Sequence, residues 1–185
     1  MQIKKNIFIF SFFLIIFSLN LNAQQLTVNQ EKSSITIVFK QIGVPIKALF
    51  NNFKAKVAFD EKNLDKSKAE ILIDIFSFDL GDPDYNSEVL KEEWFNAKKF
   101  PNASFVSSGI EKINPEEYKV VGDLNIKGTA EKESFIFNLK KEDAAFFFKG
   151  SLPISRTKYN IGDGDWKDTS IVADEVLISF KLYVN

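Results

Sequence analysis

The chain of 185 residues contains 24 basic and 25 acidic residues, which gives a net charge of −1 at neutral pH. This balance provides no concentrated basic face, and it argues against a nucleic-acid-binding protein. Histidine and cysteine are both missing, which excludes Ser-His-Asp triads, Cys-His pairs, the usual zinc sites and disulfides. We therefore expect a protein that is not an enzyme and that needs no cofactor or metal.

The N-terminal segment has the pattern of a secretory signal. Two lysines precede an apolar run at residues 7–19, and Ala23 is a small residue where signal peptidase would cut. An uncleaved anchor is the alternative, but the run is shorter than the roughly 20 residues of a bilayer span. The sequence predicts a signal peptide over 1–23 and a mature domain over 24–185. We expect the mature domain to be periplasmic or secreted, with no stable membrane insertion after cleavage.

Apolar and polar residues alternate with a period of two along most of the mature chain. This pattern is typical of antiparallel strands with one buried face. It predicts about eight strands, over residues 34–40, 53–59, 69–78, 104–110, 118–126, 133–140, 145–152 and 174–184.

One stretch departs from this alternation. From Asn86 to Lys99 the apolar residues fall at helical spacing, which predicts a short amphipathic helix. Asn86 or Ser87 could cap its start, and Pro101 prevents its continuation. Just upstream, two aspartates flank Pro83, a pattern that suits a turn and the entry to a helix.

Evenly spaced strands with a single helix predict an all-β fold. We expect a single antiparallel β-barrel, because closure removes exposed strand edges. A β-sandwich would satisfy the same periodicity and stays open as an alternative.

Phenylalanine is abundant in the predicted strands. The chain has 20 Phe, and 15 remain after the predicted signal peptide. A barrel of about eight strands either fills its interior with side chains or encloses one ligand, and periodicity alone does not decide between them. If a cavity is present, apolar walls of this kind suit an apolar ligand. The predicted wall residues are Phe39, Phe53, Ile71, Ile73, Phe105, Leu124, Phe135, Phe137, Phe146, Phe148, Ile178 and Phe180.

Several sequence blocks occur in an order that resembles the YceI-like family. The most specific are Leu90–Asn96 leading to Lys99–Phe105, Gly122–Thr129, and Ser155–Gly162. Ala48 and Ala55 stand where the family often has glycine, Gln41 replaces a common histidine, and Asn160 replaces a common glycine. The resemblance covers nearly the whole mature chain. It implies an exported, lipocalin-like barrel that holds a polyisoprenoid, such as a quinone or a polyprenyl phosphate.

Four residues are candidates for the mouth of such a cavity. Arg156 is the only arginine of the chain and lies at the family's arginine position, where it could contact a polar head group. The alternative is a structural role, in which Arg156 bonds to loop carbonyls or to a nearby carboxylate. Trp94 and Trp166 have N–H groups that could reach a head group, although packing against the barrel would also explain them. Tyr159 lies in the same loop as Arg156 and is the fourth candidate.

An acidic loop, Asp163 to Asp168, resembles a calcium-binding loop only in part. Lys167 stands where a third ligand is needed, and no glutamate closes the loop. We therefore predict no metal site. The leading hypothesis is an exported protein that binds a long-chain lipid for transport or storage. The alternative is a ligand-free barrel with a structural or protein-interaction role in the envelope stress response. The sequence leaves a homodimer open.

Overall fold

The computed structural model describes residues 25–142 and 145–185, so the predicted signal peptide lies outside the described residues. The described residues form one curled antiparallel sheet with the strand order β1-β4-β5-β7-β8-β9-β10-β11-β2-β3-β6. The strands are β1 (Gln25–Leu26), β2 (Ser34–Gln41), β3 (Val44–Phe50), β4 (Phe53–Ala58), β5 (Lys68–Asp74), β6 (Phe78–Asp79), β7 (Asn102–Lys112), β8 (Glu117–Ile126), β9 (Thr129–Glu142), β10 (Ala145–Ser155) and β11 (Glu175–Val184). The predicted all-β, lipocalin-like fold built on a single antiparallel sheet is confirmed, but the sheet is a half-barrel, because its edge strands β1 and β6 do not pair with each other among the described residues.

The described residues contain eleven strands where about eight were predicted, because the short edge strands β1 and β6 were not predicted and two further details differ. Strand β3 was not predicted, because Gly43 and Pro45 suggest a turn. Pro45 is nevertheless accommodated near the start of the strand, where it pairs with Lys40. The predicted strand 69–78 was too long, because it ends at Asp74. The Asp74 carboxylate accepts a hydrogen bond from the Phe76 N–H at 3.0 Å and caps a 3-10 helix, Ile75–Ser77. Further 3-10 helices are Leu64–Lys66, Arg156–Tyr159 and Gly164–Lys167.

The N-terminal segment links two parts of the curled sheet. β1 pairs with β4, and a few residues later Val28 forms a bridge with Val184 of β11. Thr27 and Asn185 exchange backbone hydrogen bonds of 2.7 and 3.0 Å. On the other edge of the sheet, β6 pairs with β3. The sheet therefore encloses an interior without a direct ladder between β3 and β4 in the described residues.

The position of the predicted helix was wrong. The α-helix of the described residues, α1, runs over Pro83–Val89 and ends before Trp94. Asp82 caps it by accepting hydrogen bonds from the N–H groups of Asp84 and Tyr85 at 2.9 and 3.3 Å. Proline at the first helical position after an aspartate cap is a strong start signal. Residues 91–99 form consecutive turns, which repeat closely enough to imitate helical spacing.

The strand registers define two ends of the barrel. The two-residue turns at 42–43 and 127–128 lie at one end together with α1, which we call the helix end. The loop between β7 and β8, residues 113–116, lies at the opposite end, which we call the far end. No helix in the described residues is both long and apolar enough to cross a bilayer.

Candidate functional site

The interior of the barrel contains a cavity of about 420 Å³ at the helix end, which we call the large cavity. Strands supply one part of its wall, while α1 and the following turns supply another. Nearly all of the wall is apolar, as expected for a site that excludes water from a hydrocarbon ligand. Its apolar lining includes Ile35, Ile37, Phe39, Phe50, Ile73, Ile75, Phe78, Leu80, Val89, Trp94, Phe95, Leu124, Ile126, Ile154, Ile161, Trp166, Val172, Val176 and Ile178.

A second cavity of about 120 Å³ lies deeper in the barrel, toward the far end; we call it the inner cavity. Its wall is entirely hydrophobic and rich in aromatic rings. Phe105 and Phe135 pack at 5.3 Å between ring centroids, and Phe135 and Phe180 at 5.6 Å. The two cavities share four wall residues, which we call the waist: Ile35, Ile73, Leu124 and Ile178. The arrangement suits a long, narrow apolar molecule that passes from one cavity to the other.

Ten of the twelve predicted wall residues line one or both cavities. The two exceptions are Phe53 and Phe146. Phe53 is buried in the hydrophobic core away from both cavities. Phe146 packs against Phe59 and Phe148, at 6.0 and 6.2 Å between ring centroids. Whether the ten residues contact a ligand stays a prediction.

The sequence analysis missed the contribution of α1. Asp84, Tyr85 and Glu88 of this helix line the large cavity at the helix end, as does Gln41 at the end of β2. The signal that could have located them is the Asp82-Pro83 helix start, which places the helix one turn earlier than the apolar spacing suggested.

Arg156 is almost fully buried, with 2% of its surface exposed. Its Nε, Nη1 and Nη2 atoms donate five hydrogen bonds to backbone carbonyls. The acceptors are Ala173 (3.2 Å), Ile161 (2.7 Å), Gly162 (3.2 Å), Trp166 (2.8 Å) and Val172 (2.8 Å). A guanidinium has five N–H donors, so none is left for a head group. The geometry favours the structural alternative over the predicted head-group contact.

Burial lowers the pKa of Arg156, while the charges of Asp174 and Asp163 oppose that shift. Burial would raise the pKa of Asp174, but its hydrogen bonds with Thr157 and Ser155 and the Arg156 charge lower it overall. The Thr157 Oγ1 lies 2.6 Å from the Asp174 carboxylate. Arg156 and Asp174 thus hold the loops beside the large cavity.

The prediction that Tyr159 lies at the cavity mouth was wrong, since its side chain lines neither cavity. Tyr159 is fully buried, and its hydroxyl donates a hydrogen bond to the Glu133 carboxylate of β9 at 2.9 Å. Burial and the neighbouring Glu133 raise the pKa of Tyr159. The residue ties the 3-10 helix Arg156–Tyr159 to the sheet.

Trp94 and Trp166 both line the large cavity, and their ring centroids are 5.3 Å apart. The Arg156 guanidinium lies 6.0 Å from the Trp94 ring centroid. The Trp94 Nε1 is buried and has no hydrogen-bond partner among the described residues. Buried indole N–H groups usually find an acceptor. The Trp94 N–H is therefore a buried donor without an acceptor among the described residues, beside the wall of the large cavity.

The acidic loop contains no arrangement suited to a metal. Asp163 lies 3.5 Å from the Lys127 Nζ, and Asp168 accepts a hydrogen bond from the Ser170 N–H at 2.8 Å. In residues 25–142 and 145–185 no group of three or more acidic side chains is placed to hold a metal ion.

An antiparallel sheet curled around a deep apolar cavity is the architecture of a lipocalin-like fold. The YceI-like domain matches residues 26–184, and the chain belongs to this family. Burkholderia cenocepacia BcnA is 44% identical, with a TM-score of 0.83 over 85% of this chain and 99% of BcnA. A polyisoprenoid-binding domain from Saccharophagus degradans has a TM-score of 0.70 at 14% identity, over 88% of this chain and 98% of that domain, and shows the fold alone.

Among curated relatives, a UPF0312 protein of Yersinia enterocolitica is 37% identical over 79 residues. The matched segment covers 43% of this chain and 41% of the relative, so it spans less than half the length of that protein.

Proposed function

We propose that the chain binds a long isoprenoid lipid inside the barrel and acts as an exported carrier or store that performs no chemistry on it. The observation that carries the proposal is the pair of neighbouring apolar cavities that share the four waist residues. Each methylene moved from water into such a space contributes about 0.8 kcal/mol, so a long chain can bind tightly without polar contacts. Membership of the YceI-like family and the polyisoprenoid-binding domain with the same fold support this choice of ligand.

We further propose that the head group is neutral, as in a quinone, and not a phosphate. Arg156 is the cationic residue on the wall of the large cavity, and its donors are used by backbone carbonyls. Of the acidic wall residues, Glu88 is paired with Lys91, while Asp84 has no ion pair among the described residues and would repel an anion. The buried Trp94 N–H, which has no acceptor among the described residues, could donate to a neutral carbonyl oxygen if the ring turned toward the cavity.

The test compares an isoprenoid quinone and a polyprenyl phosphate with the same number of isoprene units. We expect the quinone to bind at one molecule per chain and about tenfold more tightly, which corresponds to about 1.4 kcal/mol. Mass spectrometry of the protein after equilibration with each lipid, and with a mixture of both, measures the ratio.

Charge variants identify the cause of that preference. Asp84→Asn should narrow the difference in affinity between quinone and phosphate, while Glu111→Gln near the far end should leave it unchanged. Equal or tighter binding of the phosphate would contradict a neutral head group. If neither lipid binds, the ligand-free structural barrel becomes the better hypothesis.

Export is the second part of the proposal, and it depends on the pattern of residues 1–23. When the full chain is produced in a bacterium with a periplasm, we expect a product that begins at Gln24 and is recovered from the periplasmic fraction. Intact-mass measurement of the purified protein gives the new N-terminus directly. A product that keeps residues 1–23 and sediments with the membranes would instead support the uncleaved anchor.

A further inference from the structure

We propose that the helix end carries a docking rim, formed by Ile42, Val44, Tyr85 and Ile171, that inserts into the surface of a zwitterionic bilayer. There it would let lipid pass between the membrane and the large cavity. This inference rests on the proposed function, because a carrier of a membrane lipid must collect it from a bilayer.

The rim is apolar and solvent-exposed. The exposed fraction is 75% for Ile42, 61% for Val44, 55% for Tyr85 and 38% for Ile171. Single exposed apolar residues need no explanation, but an exposed group beside a ligand cavity marks an interaction surface.

Backbone contacts place the rim at the cavity mouth. The Ile42 N–H donates to the Ile171 carbonyl at 2.8 Å, and the neighbouring Gln41 forms a bridge with Val172. Gln41 and Val172 line the large cavity, as does Tyr85 on the side formed by α1. Rim and cavity wall are therefore continuous.

Ile42 occupies a backbone position that disfavours it. Ile42 and Gly43 form the two-residue turn between β2 and β3, with φ values of 49° and 76°. Turns with two positive φ values prefer Asn-Gly or Asp-Gly, and a β-branched residue with positive φ is a steric outlier. Such strain is kept where another interaction compensates for it.

The turn between β8 and β9 provides an internal comparison. Lys127 and Gly128 have nearly the same φ values, 50° and 78°. The Lys127 Nζ donates to the carbonyls of Asn160 and Glu93 at 2.6 and 3.3 Å, so contacts within the protein compensate for its backbone strain. The side chain of Ile42 instead projects into solvent. The hydrogen bond from the Ile42 N–H to Ile171 supports the turn, while the exposed Ile42 side chain stays available to a partner outside the chain.

The charges near the rim select the kind of bilayer. Glu88 is paired with Lys91, whereas Asp82 and Asp84 beside Tyr85 have no ion pair among the described residues and outnumber Lys40 next to the turn, so they disfavour an anionic surface. Attachment must then rely on the apolar side chains, with the tyrosine at the level of the head groups. A zwitterionic membrane has no net negative charge to repel the acidic side chains, and its surface can accept the apolar ones.

The experiment uses phosphatidylcholine vesicles that contain an isoprenoid quinone, and it compares Ile42→Asn with wild type. Asparagine suits the turn, so we expect an unchanged or higher Tm. We expect about tenfold weaker vesicle flotation and slower quinone uptake from vesicles, because an inserted apolar side chain is lost. Quinone capture from detergent solution should be unchanged. Wild type and variants have the same N-terminal segment, so any binding of that segment to the vesicles is equal in all of them.

Ile113→Asn is the matched control, since Ile113 is 51% exposed in the loop at the far end. The Ile113→Asn variant should behave as wild type. Val44→Thr should weaken flotation and quinone uptake as Ile42→Asn does, and it serves as the second rim variant if Ile42→Asn folds poorly. The docking rim would be contradicted if both rim variants floated as well as wild type. It would also be contradicted if flotation required anionic lipid and disappeared with added salt. Failure to capture quinone from detergent would instead overturn the proposed function.

Discussion

Replacing Arg156 with methionine is expected to lower the free energy of unfolding by about 3–5 kcal/mol. Methionine keeps much of the side-chain volume but donates to none of the five carbonyls that the guanidinium now satisfies. Each buried carbonyl left without a donor carries a desolvation cost of about 1–3 kcal/mol, and relaxation of the loops recovers part of the total. Urea-induced unfolding, followed by circular dichroism, measures the change.

Two further variants separate geometry from charge. Arg156→Lys keeps the positive charge but loses the planar fork, so it should recover less than half of the lost stability. Lys158→Met changes an exposed neighbour and should have an effect within about 0.5 kcal/mol of zero. If Arg156→Met were as stable as wild type but no longer bound lipid, Arg156 would be a head-group ligand and the structural role would be wrong.

Replacing Ile178 with phenylalanine should restrict the barrel to short isoprenoids. Ile178 lies at the waist, where a larger ring would separate the large cavity from the inner cavity. A long tail would then leave its terminal carbons in water, and each excluded methylene costs about 0.8 kcal/mol. We expect at least a tenfold loss of affinity for a quinone with eight isoprene units, about 1.4 kcal/mol, and little change for one with two units. Competition binding with the two quinones measures both affinities.

The adjacent residue provides the control for this experiment. Leu177 is exposed on the outer face of β11, so Leu177→Phe enlarges a side chain on the same strand without changing the interior. Overpacking itself could cost about 1–3 kcal/mol of stability, and unchanged binding of the short quinone shows that the variant is folded. If Ile178→Phe left the affinity for the long quinone unchanged, the two cavities would not hold a single chain.

Both predictions concern how the interior is built. Arg156 fixes the segments that contribute Ile161, Trp166 and Val172 to the wall of the large cavity. The waist residues then determine how far a ligand can extend into the barrel. Loss of Arg156 should therefore weaken binding of quinones of every length, whereas the waist variant should discriminate by length.

Alternation within each predicted strand was enough to predict which of its side chains face inward. Successive side chains of a strand point to opposite faces, so alternation along β8 distinguished buried Leu124 from exposed Asp123 without any knowledge of the neighbouring strands. The same rule identified most of the cavity wall, from Phe39 to Phe180. Local chemistry also marked the entry to α1 through Pro83, although helical spacing suggested a later start.

Whether the interior is filled or hollow became clear only from the three-dimensional fold. The space between inward-facing residues depends on the curvature and register of the whole sheet, which no single strand encodes. It also decided the role of Arg156, because the acceptors of its hydrogen bonds come from segments 161–162, 166 and 172–173. A local pattern specifies the direction of a side chain, but its partners and the empty space beside it depend on segments that are distant in sequence.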